Sequence, residues 1–144
     1  MSKKDKNFYK SGNKKFDEGD YQGAIDDYSK AIELDPENPE IYIERGYIKK
    51  LLSISDNQEF IGNIISAKDD YSKAIELDPE NSEIYIKRWE IKEDELEDYQ
   101  GAIDDYSKAL ELATYETDKK EILELRSKVY KILSKIDLDR SQSL

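Results

Sequence analysis

The sequence predicts an all-α fold, a solenoid-like stack of three helix hairpins closed by a capping helix, and two observations carry that expectation. The segment from Asp27 to Asn38 returns unchanged from Asp70 to Asn81, and the eleven residues from Tyr21 to Ala31 recur unchanged from Tyr99 to Ala109. Self-similarity of this kind marks a repeat array, in which each unit buries its apolar face against a neighbour. Within a copy, Tyr21, Ala24, Ile25, Tyr28, Ala31 and Ile32 fall three or four residues apart, which makes one apolar stripe on a helix. The same periodicity assigns Asp26, Asp27, Lys30 and Glu33 to the wet side.

Residues 1 to about 6 form a basic, frayed start, after which Phe8, Gly12 and Lys15 share one face of a first helix. Gly12 admits close approach of a partner helix. Gly19 suits a helix exit and Asp20 a helix start, so the second helix is expected from about Tyr21 to Leu34. Pro36 ends it, Asn38 caps the third helix and Pro39 occupies its first turn.

Before Ala67 the second copy is about nine residues longer than the first, an insertion within Leu52 to Asn63. It reads as a surface loop or as an early start of the fourth helix. The extended helix is adopted, because Asp56-x-x-Glu59 resembles a capping box and Phe60, Ile61, Ile64 and Ile65 follow at helical spacing. In the third copy Trp89 stands where Gly12 and Gly46 stand in the others, which predicts a packing adjustment, and Leu96-Glu97 replaces the turn glycine. A seventh helix is expected from about Asp118 to Asp137, with Ile122, Leu125, Val129, Ile132 and Ile136 as its stripe. That stripe suits a terminal cap, or alternatively a short coiled coil between chains; the cap is adopted.

Tyr28, Tyr71 and Tyr106 lie 43 and then 35 residues apart. Together with the pairs Ala24/Tyr28, Ala67/Tyr71 and Ala102/Tyr106 and the late Pro36 and Pro79, the pattern resembles the tetratricopeptide repeat, a ~34-residue helix hairpin. First helices match more loosely, through Phe8-x2-Ser11-Gly12, Tyr42-x2-Arg45-Gly46 and Tyr85-x2-Arg88-Trp89. The resemblance covers roughly residues 5–116 and implies a right-handed superhelix, read as a single domain over 1–144. Its repeats fall at about 5–38, 39–81 and 82–116. First helices would line a concave groove that binds a peptide segment of a partner.

The formal charge of −11 opposes nucleic acid or an anionic membrane as partner. No cysteine or histidine is present, which removes thiolate and imidazole chemistry and the usual zinc ligands. The pairs Asp26-Asp27, Asp69-Asp70 and Asp104-Asp105 repeat with the helix and read as solvated faces rather than as paired acid and base. No phosphate loop or nucleophile elbow occurs. The expectation is a protein that is not an enzyme and needs no cofactor or metal. The charged opening leads into no apolar signal core and no apolar run is long enough to span a bilayer, so the cytoplasm is the default address.

A second row on the first helices, not used by the hairpin contact, supplies the candidate site. It comprises Tyr9, Asn13 and Phe16, then Ile43, Tyr47 and Leu51, then Ile86, Glu90 and Asp94. These side chains pack on neighbouring first helices, line a groove, or do both. Family members that clamp acidic chaperone tails hold Lys and Asn on the first helix, Asn on the third, and Lys and Arg on the fifth. Laid on this chain, that motif keeps Asn13 and meets Lys87 at the Arg place, but finds Tyr9, Glu44 and Glu83 at the others. Seven candidate groove acids (Asp17, Glu40, Glu44, Glu83, Glu90, Glu93, Asp94) face three lysines (Lys6, Lys50, Lys87), so a neutral or basic ligand with apolar anchors is expected. The alternatives are a chaperone co-factor and a subunit of a larger or self-associating assembly, including a homo-oligomer.

Overall fold

The computed structural model describes residues 3–55 and 60–142. It contains α1 (Lys3–Asp17), α2 (Tyr21–Leu34), α3 (Pro39–Ser55), α4 (Phe60–Leu77), α5 (Ser82–Glu90), α6 (Tyr99–Leu112) and α7 (Glu116–Gln142), with a π-helical turn at Ile91–Glu95. The chain divides into two compact units, Met1–Pro79 and Glu80–Leu144. The first holds two helix hairpins, and the second holds one hairpin and the terminal helix.

In the first unit the stripe on α2 does what its spacing requires. Ala24, Tyr28 and Ala31 are fully buried with Ile41 and Ile48 of α3, and Phe8, Tyr9, Phe16 and Ile32 pack against them. Glycine on the first helices makes room for the tyrosine of the second. A Cβ at Gly12 would lie 2.8 Å from Tyr28 Cε1, and one at Gly46 would lie 3.0 Å from Tyr71 Cε1. The first contact is shorter than a real Cβ tolerates and the second is tight, so each tyrosine ring lies close on the glycine backbone. Gly19 holds φ at +79° between α1 and α2, the left-handed turn expected of it.

Helix ends follow the sequence signals, with two differences in length. The Asp20 carboxylate accepts from the Gly23 amide at 2.9 Å, its counterpart Asp98 does so from Gly101 at 3.0 Å, and the Asn38 side chain accepts from Glu40 at 3.1 Å. Helix α1 already begins at Lys3 rather than after a frayed start, and α7 runs to Gln142, beyond the expected Asp137. The insertion is helical on both described sides, with α4 opening at Phe60; the capping pattern Asp56 to Glu59 lies outside the described residues.

The placement of Asp27 on the wet side is corrected. Asp27, Asp70 and Asp105 are 4%, 5% and 2% exposed, whereas their neighbours Asp26, Asp69 and Asp104 are exposed. Each buried carboxylate is met by two side chains one turn apart on the first helix of its hairpin or, for Lys92, on the π-helical turn that continues it. Ser11 and Lys15 reach Asp27 at 2.6 and 2.8 Å. Arg45 donates to Asp70 from Nε and Nη2 at 3.0 and 2.6 Å, and Lys49 lies at 2.8 Å. Arg88 and Lys92 repeat the arrangement on Asp105, with Arg88 Nε at 2.9 Å and Lys92 Nζ at 3.0 Å. The physical reason is that a carboxylate at the hairpin seam can be buried when charged donors arrive from the opposite helix.

In Asp27 burial pushes the carboxyl up, but hydrogen bonds from Lys15 and Ser11 outweigh it and the net direction is down. A depressed carboxyl contributes stability that is present above its unfolded value and lost as pH falls through the folded one. Acid titration followed by circular dichroism should therefore show wild type losing stability below about pH 4 more steeply than Asp27→Asn. Parallel acid limbs would refute that linkage.

In the second unit the hairpin is built differently. Trp89 is 4% exposed and lies on Tyr106, with ring centroids 3.6 Å apart. The stretch from Trp89 to the cap Asp98 is one residue longer than that from Gly12 to Asp20. The π-helical turn absorbs the extra residue, with Leu96 N donating to Ile91 O at 3.1 Å. Glu97 then takes the place of Gly19 and adopts φ of +51° without being glycine. On α7, Ile122 and Val129 are buried and Leu125 and Ile136 half-buried, while Ile132 is exposed. The expected stripe is correct for four of its five members. Helices α2 and α6 differ only in Ile32 against Leu110.

Candidate interaction surface

In the first unit the second row on α1 and α3 forms a half-covered aromatic face. Phe16 lies 5.8 Å from Tyr21 and meets Tyr47 edge-on at 6.1 Å, and this second contact joins α1 to α3. Tyr47 stays 39% exposed, and Ile43 is half-buried. Tyr9 is half-buried with its ring 5.7 Å from that of Tyr28. The Tyr28 hydroxyl donates to Asn13 Oδ1 at 2.6 Å, so the one polar member of the α1 row is fixed by the core tyrosine beneath it.

Electrostatics on this face are negative. Burial raises the Tyr9 phenol above its usual value, and the charges of Glu44 and Glu40 raise it further. Burial also raises Tyr28, with Glu44, Tyr9 and Asp17 adding to it. Both phenols stay neutral in any ordinary buffer, and three carboxylates act on the same aromatic patch.

The second unit presents the remaining predicted residues. Lys87 pairs with Glu83 at 3.2 Å on the same helix. Ile86 and Glu90 line one cavity of about 460 Å³ with Trp89 and with Ile122 and Leu125 of α7. The Asp94 side chain lies outside the described residues. The structure thus brings Tyr9 and Asn13 together over Tyr28, Phe16 against Tyr47, and Ile86 beside Glu90.

Sequence reasoning missed the contribution of α7 to that cavity. The signal was present: Asp118, Glu121, Ile122 and Leu125 are spaced by three, one and three, which puts them on one side of a helix. It also missed the paired donors Arg45/Lys49 and Arg88/Lys92, whose four-residue spacing repeats in two copies. Among the described residues no helix is long and apolar enough to cross a membrane.

Two family models match the chain, one described as TPR repeat over residues 12–52 and one as tetratricopeptide repeat over residues 51–81. No curated protein shows significant sequence similarity to it. Among solved structures, the first TPR of Spaghetti (RPAP3) bound to the HSP90 peptide SRMEEVD is similar at 27% identity and a TM-score of 0.74, covering 93% of this chain and 96% of that one. The first TPR domain of human RPAP3 is similar at 26% identity and a TM-score of 0.70, covering 92% and 94%. The TPR2B domain of yeast Sti1, in complex with pHsp70, shares the fold at 22% identity and a TM-score of 0.72, covering 90% and 98%.

Proposed function

The chain belongs to the tetratricopeptide repeat proteins, and from that premise we propose that it is a non-enzymatic interaction module that holds a peptide segment of a partner protein against the first helices of its hairpins. The contact residues are Tyr9, Asn13, Phe16, Ile43 and Tyr47 in the first unit and Ile86, Lys87 and Glu90 in the second. The observation that carries this reading is the Phe16–Tyr47 contact, an aromatic edge left 39% exposed at Tyr47 where α1 meets α3. Aromatic side chains in such half-covered positions are the usual anchors of binding energy. The peptide bound to the first TPR of Spaghetti supports a peptide as the ligand class.

The ligand is neutral or basic with apolar anchors, because Glu40, Glu44 and Asp17 act on the same patch as Tyr9. A second reading, a chaperone co-factor that holds an acidic tail, is favoured by the SRMEEVD complex of that relative. Against it stand Tyr9, Glu44 and Glu83 where the resembling clamp has Lys, Asn and Lys.

Calorimetry with a basic, leucine-bearing peptide and with SRMEEVD tests the choice. The basic peptide should bind more tightly, and Tyr47→Ala and Ile86→Ala should each cost about 1 to 2 kcal/mol of its binding with the helical signal intact. Glu33→Ala, exposed on α2, serves as the control; Lys30 is less suitable because its ammonium lies 5.4 Å over the Phe8 ring. Micromolar affinity for SRMEEVD, or equal losses at Tyr47 and Glu33, would overturn this reading.

A further inference from the structure

We propose that the groove between α5 and α7 receives a basic side chain of the bound peptide, with an apolar neighbour of that side chain seated beside it. The proposal rests on the peptide-binding reading and names what the second unit holds. The groove encloses about 460 Å³, within the ~300 to 1,000 Å³ range of sites that hold small ligands or side chains. Its apolar part is Trp89 and Ile122, both buried, with half-buried Ile86 and Leu125. Its charged part is Glu90, half-buried on α5, with Asp118 and Glu121 exposed on α7. No lysine or arginine is among the lining residues.

That combination selects its occupant. An arginine or lysine has an apolar stem and a charged tip, so the stem lies on Ile86 and Leu125 while the tip meets the carboxylates. Tyr106 covers part of Trp89 at 3.6 Å, and the portion lining the groove is what remains. Tyr115, 70% exposed in the turn before α7, stands beside the opening. An acidic side chain entering here meets three like charges.

Trp89 is the single tryptophan of the chain, so its emission and its indole N–H resonance report on the second unit, where it lines this groove. The full chain is titrated with acetyl-Arg-Leu-Arg-Leu-amide and, separately, with acetyl-Glu-Leu-Glu-Leu-amide, while backbone amide shifts are followed in both units. The basic peptide should move the Trp89 signals in a saturable way, at an affinity at least about tenfold above that of the acidic one. The triple variant E90Q/D118N/E121Q should remove that preference. Glu33→Ala, exposed on α2 away from the contact row, should leave the Trp89 response in place. Equal or better binding of the acidic peptide by wild type overturns the proposal without any variant. Shifts confined to α1 and α3 overturn it too but leave the peptide-binding reading standing, whereas no shift in either unit overturns both. A Trp89 shift that tracks protein concentration in the absence of peptide puts a second copy in the groove and overturns it as well.

Discussion

Asp70→Ala is expected to cost about 3 kcal/mol or more of folding stability, because it leaves two cations at the α3–α4 seam without their shared counter-ion. The side chains of Arg45 and Lys49 are 17% and 13% exposed, and both converge on this one carboxylate. Burial already holds the Lys49 ammonium below its usual value, partly offset by Asp70, so loss of the carboxylate removes the main compensation. Arg45 also donates to Ser29 on α2 at 3.0 Å, and Lys49 to Ser66 at 2.8 Å, so the seam joins α2, α3 and α4. Urea unfolding measures the effect. Replacing all three members together, Asp70→Leu with Arg45→Met and Lys49→Met, should lose far less than Asp70→Ala alone, since an apolar set of similar volume needs no pairing. If both variants lose equally, the packing volume of the site and not its charge balance accounts for the loss.

Trp89→Ala is expected to be of the same size, about 3 to 5 kcal/mol, by opening a cavity over the Tyr106 ring. The loss should be local. Amide exchange should speed up across α5, α6 and the first turns of α7, where Ile122 is buried, more than across α1 to α4. Uniform acceleration in both units would contradict the assignment of Trp89 to the core of the second unit.

The hairpins were legible because stripe, cap and break agreed in each copy: Tyr28, Asp20 and Pro36 all place α2 within the same bounds. The buried aspartates were not legible from their own helix. Asp27 lies on the polar edge of the stripe, and what buries it stands on α1, at Ser11 and Lys15. Periodicity within one helix describes which way a side chain points but not whether a charged partner arrives there from the next helix. The π-helical turn was hidden for a related reason, since one extra residue between Trp89 and Asp98 looks like an ordinary loop difference until the backbone shows where it is absorbed. Of the candidate contact row, the aromatic members on α1 and α3 were visible as apolar residues left over from the hairpin stripe. The α7 side of the second groove was overlooked because α7 was read only for the face it buries.

The near-identity of α2 and α6 carries a consequence for how the chain finds its shape. A helix whose surface is written twice in one chain has no address of its own. The seats differ, bare backbone at Gly12 with Ser11 and Lys15 on one side and an indole at Trp89 with Arg88 and Lys92 on the other, but each receives the same tyrosine and aspartate. Short connections therefore do the sorting, because closing the few-residue turn from α1 to α2 costs less chain entropy than reaching α6 across the intervening helices. That advantage shrinks as protein concentration rises towards the effective concentration of the tethered α2, which is about millimolar for a short connection. In that range a neighbouring chain's α6 begins to compete for α1, and exchange of helices between chains is the folding error this sequence invites.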